Sequence, residues 1–289
     1  MAVPELPEVE TIRRQLAPHL EGRRLRRVEI LDPRWTRPEP PAAVQGRLIG
    51  ASVRHLGRAG KYLVWSLSDD LYLLIHLRMT GSLLVDPASE PVHTRVRFGL
   101  DDGHRLIYVD PRRFGTGHLL AGEDARDAYL SARIGVEPLT TEFTVEHLRA
   151  LARGRRAPIK AFLLDQRRIA GVGNIYADEA LFRAGIHPLR PTGRLDRADW
   201  ARLREGIEEA LAAGIDAKGA TIEDFRHVDG QRGSFQDRFL VYRRAGLACP
   251  RCGSTVRKIV VAGRGTHICE HCQRRPRAVR RPAKRPAAA

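Results

Sequence analysis

From Pro7 to Leu20 the apolar residues Val9, Ile12, Leu16 and Leu20 recur at three- and four-residue steps, the period of one buried helix face. Pro7 suits a first turn, and Glu8 and Glu10 stand at the positive end of the helix dipole. After this helix the pattern changes to short β-rich runs separated by Gly, Pro and Asp: Arg24 to Leu31, Leu48 to Leu56, Lys61 to Leu67, Leu71 to His76, Val92 to Leu100 and Arg105 to Asp110. Strands at that spacing predict a sandwich or barrel. From about Glu123 the helical period returns, in Val145 to Ala152, Ile159 to Gln166, Ile175 to Ala184 and Ala198 to Ala213. The expected class is α+β in two domains, divided near residues 130 to 140 around Gly135 and Pro138.

Length supports that division, because 289 residues exceed one comfortable core and allow each half its own. Charge adds a partner: a formal net charge of +16 draws polyanions, and nucleic acid is the expected one. No run approaches the ~18 apolar residues of a membrane span. Met1 to Glu10 carries three glutamates and two prolines where a secretory signal needs basic and then apolar residues. The expected place is therefore the cytoplasm, with the protein bound to the nucleoid. Gln273 to Ala289 holds seven Lys or Arg and no acid, a composition that cannot pack a core and predicts a disordered basic tail.

All four cysteines fall in two pairs, Cys249-Pro-Arg-Cys252 and Cys269-Glu-His-Cys272, with 16 residues between them. This is the spacing of a four-thiolate zinc site made of two knuckles and a hairpin, here Thr255 to Val261 and Thr266 to Ile268. Four sulfurs close the tetrahedron, so the zinc is expected to be structural, with His267 and His271 as surface residues. The alternative of disulfides or a redox pair does not suit a chain without an export signal. At the hairpin tip, Val261-Ala-Gly-Arg-Gly-Thr266 sets an arginine between glycines. A turn needs the glycines but not Arg264, which is therefore a candidate to enter a nucleic-acid groove.

A second glycine loop, Ile169-Ala-Gly-Val-Gly-Asn-Ile-Tyr176, joins two helical segments. Asn174 stands where a helix cap belongs, so the exposed amides offer either a phosphate cradle or a plain helix start. Both readings remain open from the residues alone.

Four separated segments then agree. Pro4-Glu-Leu-Pro-Glu-Val-Glu10, Asp110-Pro-Arg-Arg-Phe-Gly115, Gly171-Val-Gly-Asn-Ile-Tyr-Ala177 and the cysteine hairpin together resemble the formamidopyrimidine-DNA glycosylase family, over the chain from Pro4 to about Cys272. The resemblance implies an N-terminal β-sandwich carrying an N-terminal helix (1–134), a helix-two-turn-helix domain (135–239), a zinc-finger hairpin (240–274) and the tail (275–289). It implies a monomer acting on double-stranded DNA with damaged bases, one structural zinc, no organic cofactor, and removal of oxidised purines coupled to β,δ-elimination. Leu6 and the loop Asp229 to Phe235 favour the purine enzyme over the sister endonuclease VIII group, which prefers oxidised pyrimidines. Arg78, Ala220 and Ser234 depart from the usual residues and bear on base preference. A non-catalytic lesion-binding relative is the third reading.

By the same resemblance Pro4 is the nucleophile, Glu5 the proton donor and acceptor at the sugar, Lys61 the β-elimination lysine, and Arg264 the δ-elimination and phosphate residue. Met79, Arg112 and Phe114 match the group inserted into the DNA stack where a base is flipped out; His93, Arg155 and Asn174 match DNA contacts. The chemistry requires Pro4 as a secondary amine, whereas an amide nitrogen following Val3 has its lone pair delocalised and cannot attack. The expectation is that Val3 is the true start and that Pro4 becomes the first residue.

Overall fold

The computed structural model describes residues 4–222 and 225–275; Met1 to Val3 and most of the basic tail lie outside that range. Helix α1 (Leu6–Leu20) is followed by β1 (Leu25–Ile30), α2 (Pro41–Leu48), β2 (Val53–Ala59), β3 (Tyr62–Leu67), β4 (Leu71–His76), β5 (Ser82–Val85), β6 (Thr94–Leu100), β7 (Arg105–Val109) and β8 (Thr116–Ala121). The strands make two four-stranded antiparallel sheets, ordered β1-β6-β7-β5 and β2-β3-β4-β8. Val28, Phe98 and Leu106 of the first sheet share one core with Leu56, Trp65 and Leu73 of the second, and α1 adds Val9, Ile12, Leu16 and Leu20. The helix predicted from the opening pattern is present, one residue longer.

Three elements differ from the sequence reading. Helix α2 was not expected; it starts at a proline pair and buries only Val44 and Leu48, too few apolar positions to show a period. Leu48 therefore ends a helix instead of opening a strand. Strands β5 and β8 also escaped, β5 because it has four residues and β8 because Gly117 and His118 interrupt its alternation.

The second half contains α3 (Glu123–Ser131), α4 (Val145–Ala152), α5 (Ile159–Leu164), α6 (Asn174–Arg183), α7 (Arg197–Asp216) and the hairpin of β9 (Arg257–Val261) with β10 (Arg264–Ile268). Helix α7 starts on a capping box in which Asp196 accepts the Asp199 amide at 2.7 Å and Asp199 accepts the Asp196 amide at 3.1 Å. Phe162, Tyr176, Trp200, Leu203 and Ile207 form a separate core, and Leu6 of α1 belongs to it. The first turn of α1 is thus shared between the two halves.

Two adjacent acids on α6 attach the hairpin. Glu179 accepts the amides of Leu240, Val241 and Tyr242 at 2.9–3.0 Å, and Asp178 accepts the His267 amide at 2.8 Å. Asp178 also pairs with Lys160 at 2.6 Å, both side chains being 0% exposed; the ammonium donates in addition to Thr266 Oγ1 at 2.8 Å and to Gly265 O at 3.2 Å. His267 is consequently buried, which corrects its assignment to the surface, while His271 is exposed. Burial forces these charges into pairs, because an isolated one would cost several kcal/mol or more to desolvate.

Candidate active site between the two halves

Glu5 is the N-cap of α1 and forms a reciprocal capping box with Glu8, but the reach of its carboxylate goes beyond its own helix. It crosses to the start of α6, where it accepts the amides of Gly173 (2.7 Å), Ile175 (2.9 Å) and Tyr176 (3.3 Å). A helix N-terminus favours an anion, and here the anion is a side chain of this chain. The two glycines of the loop follow from that approach: a Cβ on Gly173 would lie 2.4 Å from Glu5 Cδ, and one on Gly171 would lie 2.7 Å from the Leu6 side chain. The phosphate-cradle reading of this loop is therefore replaced, since Glu5 fills the cradle. Gly173, not Asn174, is the cap residue. Pro4 is buried directly before Glu5, which brings the expected nucleophile and its acid to one place.

Glu8 completes the support and was not singled out from the sequence. Its carboxylate accepts the Glu5 amide at 2.9 Å, the Tyr176 hydroxyl at 2.8 Å and the Ala220 amide at 2.8 Å, so it links the Pro4–Glu5 end to the segment after α7. Burial raises its pKa against these donors. Burial likewise pushes Glu5 up to about 7; the Lys61 charge and the α6 amides oppose the rise, and the Glu8 charge adds to it. A carboxyl at that value carries a proton about half the time at neutral pH.

Lys61 follows the turn at Gly60 and opens on a pocket of about 240 Å³. Burial lowers its pKa, as do the charges of Arg264 and Arg78, while Glu5 and Glu8 hold it up. Those couplings join Glu5, Lys61 and Arg264 in one electrostatic group, although they lie at three distant places in the sequence. The Lys61 turn is held by residues outside the sequence reading: Glu137 accepts the Gly60 amide at 2.7 Å and pairs with Arg58, which also reaches Glu10 at 3.2 Å. Arg264 is exposed at the finger tip after the left-handed residues Ala262 and Gly263. Asn174 secures that tip, its Nδ2 donating to Gly265 O at 3.0 Å.

A second group lies on two turns of the sandwich. Asp110 accepts the amides of Gly115 (2.8 Å) and Arg112 (3.2 Å) and hydrogen-bonds the Thr80 hydroxyl, which joins the turn of Arg112 and Phe114 to the turn of Met79. Arg113 locks the first turn onto buried Asp32 through two bonds of 2.6 and 2.8 Å. Between the turns stands Tyr108, whose hydroxyl leaves no space for a side chain at Gly81 or Gly115. Phe114 is 50% exposed and Arg112 lies over its ring at 4.9 Å. An apolar side chain that open is not core; it is available to a partner. His93 is exposed beside these turns, with its carbonyl accepting the Asp110 amide at 3.1 Å. Arg155 stands elsewhere, on the loop after α4, donating to Leu151 O at 2.7 Å and accepting the Gly193 amide.

The four cysteine sulfurs lie within 4.8 Å of one another, with Cys249 to Cys272 at 3.9 Å and Cys252 to Cys269 at 3.4 Å. Zinc–sulfur bonds of about 2.3 Å in a tetrahedron separate sulfurs by about 3.8 Å. The set fits one structural zinc ion.

A β-sandwich joined to a helical domain and a four-thiolate finger, with a shared acid–lysine group at the junction, defines a class of two-domain nucleic-acid proteins. Comparison narrows it. Residues 3–117 match the formamidopyrimidine-DNA glycosylase N-terminal domain, 134–226 the H2TH domain of the same glycosylase, and 246–275 a zinc finger found in FPG and IleRS. The formamidopyrimidine-DNA glycosylase of Roseiflexus sp. is 48% identical over 94% of this chain and 100% of its own length; that of Geobacillus kaustophilus is 44% identical with the same coverage. Among solved structures, the MutM (FPG) protein of Thermus thermophilus superposes with a TM-score of 0.84 at 42% identity, covering 93% of this chain and 98% of that one. Lactococcus lactis Fpg in complex with abasic-site DNA gives 0.87 at 36% identity, covering 94% and 100%. The chain belongs to the formamidopyrimidine-DNA glycosylase family.

Proposed function

We propose that the protein is a base-excision-repair DNA glycosylase and abasic-site lyase that removes oxidised purines through an imine on Pro4. The observation that carries this reading is the Glu5 carboxyl, held by three amides beside Pro4 with its pKa near neutrality. A group in that state can give a proton to the opening sugar and take one back later. The Pro4 nitrogen attacks the sugar C1′, the base leaves, and the resulting iminium accepts the electrons released when a neighbouring proton is removed. Lys61, with its lowered pKa, has the amine needed to take that proton. Arg264 cannot readily give up a proton and instead neutralises the phosphate that leaves.

Met79, Arg112 and Phe114 fill the space left by the flipped nucleotide, with Asp110 holding both turns in register. His93, Arg155 and Asn174 contact the DNA backbone. The chain then divides into a catalytic sandwich to residue 134, a helical domain over 135–239, a finger over 240–274 and a basic tail. Among the described residues no helix is long and apolar enough to cross a membrane, and a cytoplasmic, nucleoid-bound location accords with the charge.

Attack through Pro4 needs a free amine. The family model's match opens at residue 3, which supports Pro4 as the first residue of the working enzyme. Borohydride trapping on duplex DNA carrying 8-oxoguanine tests both points. A chain beginning at Pro4 should form a covalent complex and one retaining residues 1–3 should not; failure of the Pro4-first chain to trap would reject the reading. A parallel duplex with an oxidised pyrimidine separates the two lesion preferences.

A further inference from the structure

Two turns carry the side chains assigned above to the DNA stack, and Tyr108 touches both from within the sandwich. It lies in β7, the strand between β6 and β5, where it pairs with Val96 on one side and Leu83 on the other. Its ring leans on Trp35 at 5.7 Å, Trp35 on Phe98 at 6.3 Å and Phe98 on Trp65 at 5.1 Å, and all four residues belong to the buried core of the sandwich. Backbone and ring are thus fixed, and a close-packed interior transmits displacement instead of absorbing it. The hydroxyl leaves this stack of rings at the edge where the two turns meet.

There the hydroxyl works as a spacer. A Cβ on Gly115 would stand 1.6 Å from it and one on Gly81 2.4 Å from it, so the oxygen fills the place where side chains of the two turns would meet. The Trp35 indole and the Asp110 carboxylate are its polar neighbours, yet it makes a well-formed hydrogen bond to neither. A buried phenol without such a bond gains nothing over phenylalanine as core, which leaves contact with the turns as what the oxygen adds. Asp110 acts in the opposite sense. Its carboxylate bonds the amides of Arg112 and Gly115 on one turn and the Thr80 hydroxyl on the other, while the Gly81 amide closes the second turn onto Leu77 O at 3.0 Å. One group draws the turns together and the other holds them apart, so their separation has a single value.

We propose that Tyr108 is a positioning residue for nucleotide flipping: its hydroxyl sets the spacing at which Met79, Arg112 and Phe114 enter the base stack together. The inference rests on the glycosylase reading. Tyr108 is 0% exposed, so it acts through the turns and not on the DNA. A stack with one nucleotide removed leaves a gap of fixed height, and side chains from two turns fill it at one separation of those turns. Without the oxygen the turns close on the vacated space and the fit is lost, while Pro4 and Glu5 keep their places.

The test is Tyr108→Phe in the full chain beginning at Pro4, with Tyr72→Phe, on the other sheet beneath Arg126, as the control. Three rates are compared with wild type. The rise in fluorescence of a 2-aminopurine beside the lesion reports flipping, and single-turnover excision of 8-oxoguanine from duplex reports the whole reaction. Cleavage of a preformed abasic site in single-stranded DNA reports the chemistry where there is no stack to enter. Tyr108→Phe should slow the first two about tenfold, a fraction of the roughly 10²-fold that a 1 Å misplacement causes, and leave the third within about twofold. Its midpoint of urea unfolding should equal that of wild type, and Tyr72→Phe should change none of these. Equal losses on duplex and single strand, or no loss on either, would overturn the proposal. If Tyr108→Phe folds poorly, Thr80→Val cuts the tether to Asp110 and disturbs the same spacing from the other side. It must then slow flipping and spare the single strand, and a uniform effect from it also overturns the proposal. A wild-type chain that excises no 8-oxoguanine rejects the glycosylase reading itself, so the two failures are distinct.

Discussion

Gly173→Ala adds one methyl group and tests the placement of Glu5 more cleanly than removing Glu5 itself. The backbone at Gly173 is extended (φ −128°, ψ −155°), so alanine fits it without strain and any effect comes from space. The added Cβ would stand 2.4 Å from Glu5 Cδ and 2.6 Å from Oε1, about 1 Å inside ordinary contact. The carboxylate must then retreat by roughly that distance, which breaks its 2.7 Å bond to the Gly173 amide and weakens the 2.9 Å bond to Ile175. Charge-assisted bonds of this kind contribute about 1.5–3 kcal/mol each. The gain from stiffening the unfolded chain offsets about 0.4–1 kcal/mol. A net loss of about 2–3 kcal/mol in urea unfolding is expected, together with a fall of about 10²-fold in single-turnover base excision, the usual effect of a 1 Å misplacement. In a Glu5→Ala background there is no carboxylate to evict, so the same methyl should cost less than about 0.5 kcal/mol. An equal cost in both backgrounds, or a wild-type rate for Gly173→Ala, would refute the reasoning.

Two further outcomes follow from buried charge. Glu5 titrates near 7 in the fold against an ordinary 4.5, so the folded chain holds this proton more tightly than the unfolded one. Its stabilising effect is full below about 4.5 and is lost as the pH rises to 7, and a single-turnover rate that needs the protonated carboxyl should fall tenfold per pH unit above 7; a Glu5→Gln variant that keeps this limb would exclude Glu5 as its source. Asp178→Ala strands the Lys160 ammonium and should cost about 3–5 kcal/mol, whereas Asp178→Ala/Lys160→Met should recover more than half of it in chemical unfolding; a double variant no more stable than the single would show that the pair is not what the site depends on.

Periodicity exposed the elements that bury a regular stripe, such as α1 and β4, and missed α2, β5 and β8, whose burial is brief or interrupted. The zinc ligands were legible because spacing alone implies the metal. Pro4, Glu5 and Lys61 were singled out through family motifs alone, since nothing local distinguishes them from other residues of their kind. The supporting residues were not legible by either route. Lys160 meets Thr266 across 106 positions and Glu8 meets Ala220 across 212, and no pattern within a window of sequence encodes such a pairing. The loop at Gly171 and Gly173 shows the limit from the other side: the need for glycine was readable, but the reason was a carboxylate from the other end of the chain.

The bond from Gly60 to Glu137 has a consequence for timing. Glu137 belongs to the segment that joins the two halves, and through Gly60 and Arg58 it sets the height of Lys61 in the cleft. Glu5 likewise takes its position from the helical half. Val136, beside Glu137, bridges to Ile169 of the loop that receives Glu5, so the lysine and the carboxyl are both gauged from one body. Parting the two halves would loosen both anchors together, so the readiness to cut is itself a measure of how closely the sandwich is seated on the helical half.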